Sequence, residues 1–177
     1  AAQLGFTIED GTAQAIKRHA HLIEEVSAER VKDELLKLLA EPDATRSLRL
    51  LDDLGLLCRV LPELAEARGV TQPKEHHWPV LDHCIETAGQ VERLIQDEER
   101  GPEDFVLELA PRFRDMPGYF GQDAGDEHTR LTMLKLTGLL HDVGKPATRT
   151  VEDTGRIRFL GHHETGSEMT ESALDRL

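Results

Sequence analysis

Leu131-Thr132-Met133-Leu134-Lys135-Leu136-Thr137-Gly138-Leu139-Leu140-His141-Asp142-Val143-Gly144-Lys145-Pro146 (residues 131–146) decides how the rest of the chain is read. Its apolar residues recur at helical steps and predict a helix over 128–140, which Gly144 and Pro146 bring to a stop. His141, Asp142 and Lys145 therefore emerge at the end of a buried helix. A carboxylate there without a partner would cost several kcal/mol. Two readings of the His–Asp pair follow. Imidazole and carboxylate together suit a divalent ion such as Mn²⁺, Fe²⁺, Ni²⁺, Co²⁺ or Zn²⁺. Alternatively the two side chains hydrogen-bond each other, with Asp142 capping the Gly144 turn. The dipeptide alone does not choose between them.

Working outward, residues 148–151 and 156–160 flank Glu152-Asp153-Thr154-Gly155 and predict a small β-hairpin near 148–160. A last helix starts near Gly161 with His162 and His163 in its first turn, where free backbone N–H groups favour anions. His162 thus faces a metal or a phosphate; His163, like His76 or His77, suits the surface. Lys145 and Arg149 suit a substrate phosphate, or plain solvent. Upstream, residues 80–97 read as a helix with His83 among apolar neighbours. Such a His is commonly a satisfied core residue, but a helical bundle would also use it as an inward ligand toward His141 and Asp142.

The first third predicts consecutive helices: 12–25, then 29–39 with Ser27 as N-cap, then a leucine-rich run from 44 to Pro62 broken at Gly55. The charges Glu29, Arg30, Lys32, Asp33 and Glu34 read as a solvated helix face. Residues 69–79 resemble a linker. Residues 99–127 read as a loop with a short helix embedded near 105–109.

Composition narrows the function classes. The 177 residues suffice for one domain or two small ones, and 21 Lys+Arg against 34 Asp+Glu give −13, which argues against holding nucleic acid by bulk charge alone. With one Trp, one Tyr and five Phe there are few base-stacking platforms, so an OB-fold or RRM is not expected. No apolar run is long enough for a bilayer, and Cys58 and Cys84 form neither a disulfide framework nor a CxxC site, which fits a reduced cytoplasmic setting. The start lacks an initiator Met and the end falls inside a helical pattern, so a piece of a longer chain is expected.

Six stretches carry a resemblance. Residues 80–83 (VLDH), 139–146 (LLHDVGKP) and 157–162 (IRFLGH) resemble the HD domain of metal-dependent phosphohydrolases, in the form attached to bacterial tRNA nucleotidyltransferases. Residues 1–9 (AAQLGFTIE), 27–39 (SAERVKDELLKLL) and 48–64 (LRLLDDLGLLCRVLPEL) resemble that family's neck. The resemblance to the CCA-adding tRNA nucleotidyltransferase/poly(A) polymerase family implies an all-α chain, with a neck or RNA- and nucleotide-binding region over 1–68 and an HD domain, truncated at its C-terminal side, over 69–177. It implies metal ligation by His83, His141 and Asp142, with Mn, Ni, Co, Fe, Zn or Mg as the ion and a further Asp ligand on a helix beyond Leu177. It implies catalytic roles for Asp142, Lys145 and His162, and places Glu29 and Arg30 at the family's nucleotide pocket. The implied partners are a tRNA or other RNA 3′ end and a nucleotide phosphoester. The family's catalytic head, with its Gly-Ser loop and paired aspartates, is not in this sequence, so polymerisation is not expected of it. The alternative is an RNA-supporting scaffold with a vestigial metal site.

Overall fold

The computed structural model describes residues 5–73, 77–96 and 116–177. The chain is mostly helical with one small antiparallel sheet, as expected. Helix α1 (Asp10–His19) opens on Glu9, whose carboxylate accepts the Gly11 and Thr12 amides at 2.9 and 2.8 Å. It buries no residue and tightens into a 3₁₀ turn over Ala20–Glu25, so the single helix expected over 12–25 is divided. Helix α2 (Ala28–Ala40) buries Leu35, Leu36 and Leu39. Ser27 stands at its N-cap position, yet its side chain makes no capping hydrogen bond, contrary to the sequence expectation.

Helix α3 (Ala44–Asp53) is capped by Asp43, and Gly55 at φ +72° separates it from α4 (Leu57–Val60), the break predicted from sequence. A 3₁₀ turn over Pro62–Ala67 leads into the 69–79 connection and α5 (Val80–Gln96). Beyond α6 (Met116–Phe120), α7 (Arg130–Leu140) is the apolar helix from which the sequence reading began. Strands β1 (Arg149–Val151) and β2 (Ile157–Phe159) pair Arg149 with Phe159 and Val151 with Ile157 around the predicted turn. Helix α8 (His162–Arg176) follows. Residues 1–4, His76 and the helix expected near 105–109 lie outside the described residues.

One apolar core joins these elements. Leu39 and Leu48 of the first third, Leu57 and Leu64, Val80 and Ile85 of α5, Leu139 of α7 and Val143 are all fully buried in it. Each large aliphatic side chain so buried contributes about 1.5–3 kcal/mol. Helices α5 and α7 approach closely because Gly138 has no side chain: a Cβ there would lie 3.3 Å from Ala88 Cα. This crossing carries the ends of α7 and α5 to the same place, which is where His83 and His141 meet. Among the described residues, no helix is long and apolar enough to cross a membrane.

Thr129 starts α7 by accepting the Thr132 amide at 3.3 Å and contacting its hydroxyl at 3.2 Å. Thr129→Ala should therefore cost about 1 kcal/mol in urea unfolding, a typical loss for an N-cap. An unchanged midpoint would show that the cap contributes nothing.

Candidate metal centre

The Asp142 carboxylate, 5% exposed, is the hub of the site. His83 Nε2 from α5 lies 3.3 Å from its Oδ2, and His141 Nε2 lies 3.0 Å from the same atom. Lys145 Nζ stands 2.6 Å from Oδ2, and His162 Nε2, from the first turn of α8, 3.6 Å from Oδ1. Residues spread from position 83 to position 162 thus converge on one side chain. The backbone builds this from a tight turn after α7, with the Val143 amide bonded to Leu140 O and the Lys145 amide to Asp142 O. Gly144 lets that turn sit directly against the start of α8: a Cβ there would meet His162 O at 2.3 Å.

The donor set fits a cation. His141 Nδ1 lies 2.8 Å from Gly138 O and His162 Nδ1 lies 2.7 Å from Phe159 O. A carbonyl only accepts, so each Nδ1 carries a proton and leaves Nε2 facing Asp142, able to donate to it when protonated or to offer a lone pair to a metal ion when not. Lone pairs facing a carboxylate repel unless a proton or a metal ion lies between them. His83, His141 and Asp142 each offer one ligand atom, all within 4.8 Å of one another, and backbone bonds at Nδ1 are what orient a ligating imidazole. These are the residues that would hold a divalent ion.

Electrostatics agree with the geometry. Burial alone would push the Asp142 carboxyl up, but His141, His83 and Lys145 outweigh it and hold the group well below the usual carboxylate range. Burial alone would lower the His141 pKa, yet the hydrogen bond with Asp142 and the contact with Gly138 O raise it. Cys84, next to His83, is pushed up to about 12 by burial and then by the Asp142 charge, which favours the neutral thiol.

Of the other sequence candidates, Glu29 and Arg30 are exposed in the first turn of α2 and outside the cluster; Arg149 is exposed on β1. Sequence reasoning missed Gln72. Its Nε2 donates to Trp78 O at 3.0 Å, which turns its Oε1 toward Lys145 Nζ at 2.6 Å. It sits in the 69–79 connection, where a single Gln among Gly and Pro carries no recognisable pattern.

Residues 5–68 match the family model described as "Probable RNA and SrmB- binding site of polymerase A". The chain is 37% identical to an A-adding tRNA nucleotidyltransferase of Deinococcus radiodurans over 98% of its own length and 34% of the relative's. It is 35% identical to a CC-adding tRNA nucleotidyltransferase of Thermus thermophilus, again over 98% of this chain and 34% of the relative. A bifunctional uridylyltransferase/uridylyl-removing enzyme of Cereibacter sphaeroides is 34% identical over 56% of this chain and 11% of its own. The segment that matches this family model thus lies ahead of the buried His–Asp cluster, in a chain similar to tRNA nucleotidyltransferases over nearly all its length. The chain belongs to the tRNA nucleotidyltransferase/poly(A) polymerase family. It spans about a third of the length of those two tRNA nucleotidyltransferase relatives.

Proposed function

We propose that this chain serves RNA 3′-end processing as part of a cytoplasmic tRNA nucleotidyltransferase-type protein, and that its His–Asp cluster is a divalent-metal-dependent phosphohydrolase site for nucleotide or RNA phosphoesters. Residues 1–68 would be the RNA- and nucleotide-binding neck, with Glu29 and Arg30 turned to the nucleotide, and 69–177 the HD phosphohydrolase-like part. The supporting observation is the convergence of His83 and His141 Nε2 on Asp142 Oδ2. The uridylyl-removing relative, whose name denotes loss of a nucleotidyl group, supports the same chemistry.

His83, His141 and Asp142 would hold the ion, which when bound supplies Lewis acidity to a phosphoryl oxygen and to water. Gly138 O, bonded to Nδ1, orients the His141 ring. Lys145 reaches the same carboxylate oxygen and His162 the other one, and both offset charge that develops on the phosphate. Gln72 holds the Lys145 ammonium in place.

A second function is favoured by one distance. Lys145 Nζ, 2.6 Å from Asp142 Oδ2, already neutralises the carboxylate, as a scaffold with a vestigial site would need. Equilibrium dialysis against Mn²⁺, Ni²⁺ or Co²⁺ separates the two. Hydrolase function predicts one ion per chain and metal-dependent cleavage of bis-p-nitrophenyl phosphate, with Asp142→Ala losing the ion and at least ~100-fold in rate. No bound ion, or equal rates in the variant, would leave the scaffold.

A further inference from the structure

An open cleft of about 830 Å³ lies beside the cluster, between the hairpin and Gln72 and Pro73. Gln72, Lys145 and His162 line its cluster side, and Arg156, Arg158 and Phe159 the hairpin side. Among the described residues no carboxylate lines it, although the chain as a whole carries −13. The cations differ in how far they are already answered. Lys145 is paired with Asp142, and Arg158 with Glu152. Arg156, exposed beside the hairpin turn, makes no ion pair among the described residues.

Between the two charged ends lies an apolar surface. Lys145 Nζ is 5.6 Å from the Phe159 ring centroid, and Leu160, next to it, is 73% exposed. Phe159 and Arg156 are three positions apart along the chain, about 10 Å of extended backbone. The lining therefore combines an aromatic ring with cations from both the cluster side and the hairpin side. A nucleoside with phosphate on both the 5′ and the 3′ oxygen offers the complementary set, two anions joined through the sugar and a flat base projecting from it. The cleft volume is of the size that takes such a ligand.

We propose that this cleft seats a nucleoside carrying both a 5′ and a 3′ phosphate, as a nucleotide within or at the phosphorylated end of a nucleic acid does. One phosphate faces Lys145 and His162, the base lies against Phe159 and Leu160, and Arg156 takes the second phosphate. Arg156 is then the residue that discriminates a nucleic-acid nucleotide from a free mononucleotide. The assignment deepens the phosphohydrolase function proposed above and rests on it for the orientation toward Asp142.

Isothermal titration calorimetry of the full chain with adenosine 3′,5′-bisphosphate, 5′-AMP and inorganic phosphate tests it. The bisphosphate should bind about ten-fold more tightly than AMP, and AMP more tightly than inorganic phosphate, reflecting one added charge-assisted contact and one stacking surface. Arg156→Ala should bring the bisphosphate to the AMP level, and Arg156→Lys should restore part of the difference. Equal affinity for bisphosphate and AMP, or an unchanged difference in Arg156→Ala, overturns the proposal. Graded binding without any hydrolysis of bis-p-nitrophenyl phosphate would sink the phosphohydrolase function and leave the cleft. Hydrolysis without graded binding would do the reverse.

Discussion

Lys135→Met should destabilise the fold by about 3–5 kcal/mol, the usual result of leaving one member of a buried ion pair without the other. Lys135 on α7 is 1% exposed. Its ammonium bonds Leu39 O at 2.9 Å and Glu41 O at 3.1 Å, at the C-terminus of α2, where carbonyls lack helical partners and the helix dipole favours a cation. Glu92 Oε1 on α5 lies 2.9 Å from the same nitrogen, an ion contact without hydrogen-bond alignment. Glu92 Oε2 accepts the Ala44 amide at 3.1 Å, at the N-terminus of α3, where a carboxylate is favoured. One buried pair thus closes the facing ends of α2 and α3 and ties both to α5 and α7. Methionine fills the space but strands Glu92 and two carbonyls. A loss of that size would lower the melting temperature by about 10 °C or more. Lys135→Met with Glu92→Leu should recover part of the loss, since the stranded charge is gone. A single-variant loss below about 1 kcal/mol, by urea or thermal unfolding, would show that the pair is not a structural clamp.

That clamp also marks where sequence reading runs out. The leucine periodicity of α2, α3 and α7 is a local signal and predicted those helices, because one buried face repeats every three or four residues. The hairpin was legible for an equally local reason: Gly155 adopts φ +78° at the turn, which favours glycine. Lys135 reads as a polar interruption of an apolar helix, and nothing nearby says that Glu92 and the end of α2 will meet it. The same holds at the cluster. His141 and Asp142 stand out as neighbours at a helix end, but His83 and His162 join them only through the crossing of α5 with α7 and the turn back through the hairpin. Family resemblance named those residues; composition and spacing alone left each with a bland alternative. Gln72 had no signal at all, because its part depends on a carbonyl at Trp78 and an ammonium at Lys145 brought together by folding.

The second large effect should come from the smallest change, Gly144→Ala. A Cβ at 144 would lie 2.3 Å from His162 O, 2.5 Å from Gly166 N and 2.9 Å from Gly166 Cα. All three atoms are backbone of α8, so no side chain can rotate away and the helix itself must shift. Overpacking of this kind costs about 1–3 kcal/mol and occasionally more. Because α8 carries His162, the shift also withdraws its imidazole from Asp142, now 3.6 Å away, and tilts the Asp142 turn against His83 and His141. Metal retention in dialysis should fall along with stability. The opposite face of the contact supplies the control. A Cβ at Gly166 would meet nothing closer than Gly144 N at 3.4 Å, an ordinary contact, and Ala is favoured over Gly in a helix by about 1 kcal/mol. Gly166→Ala should therefore be neutral or stabilising and leave metal retention intact. Equal behaviour of the two variants, in unfolding and in bound metal, would mean that the close seat of Gly144 on α8 does not hold the cluster together.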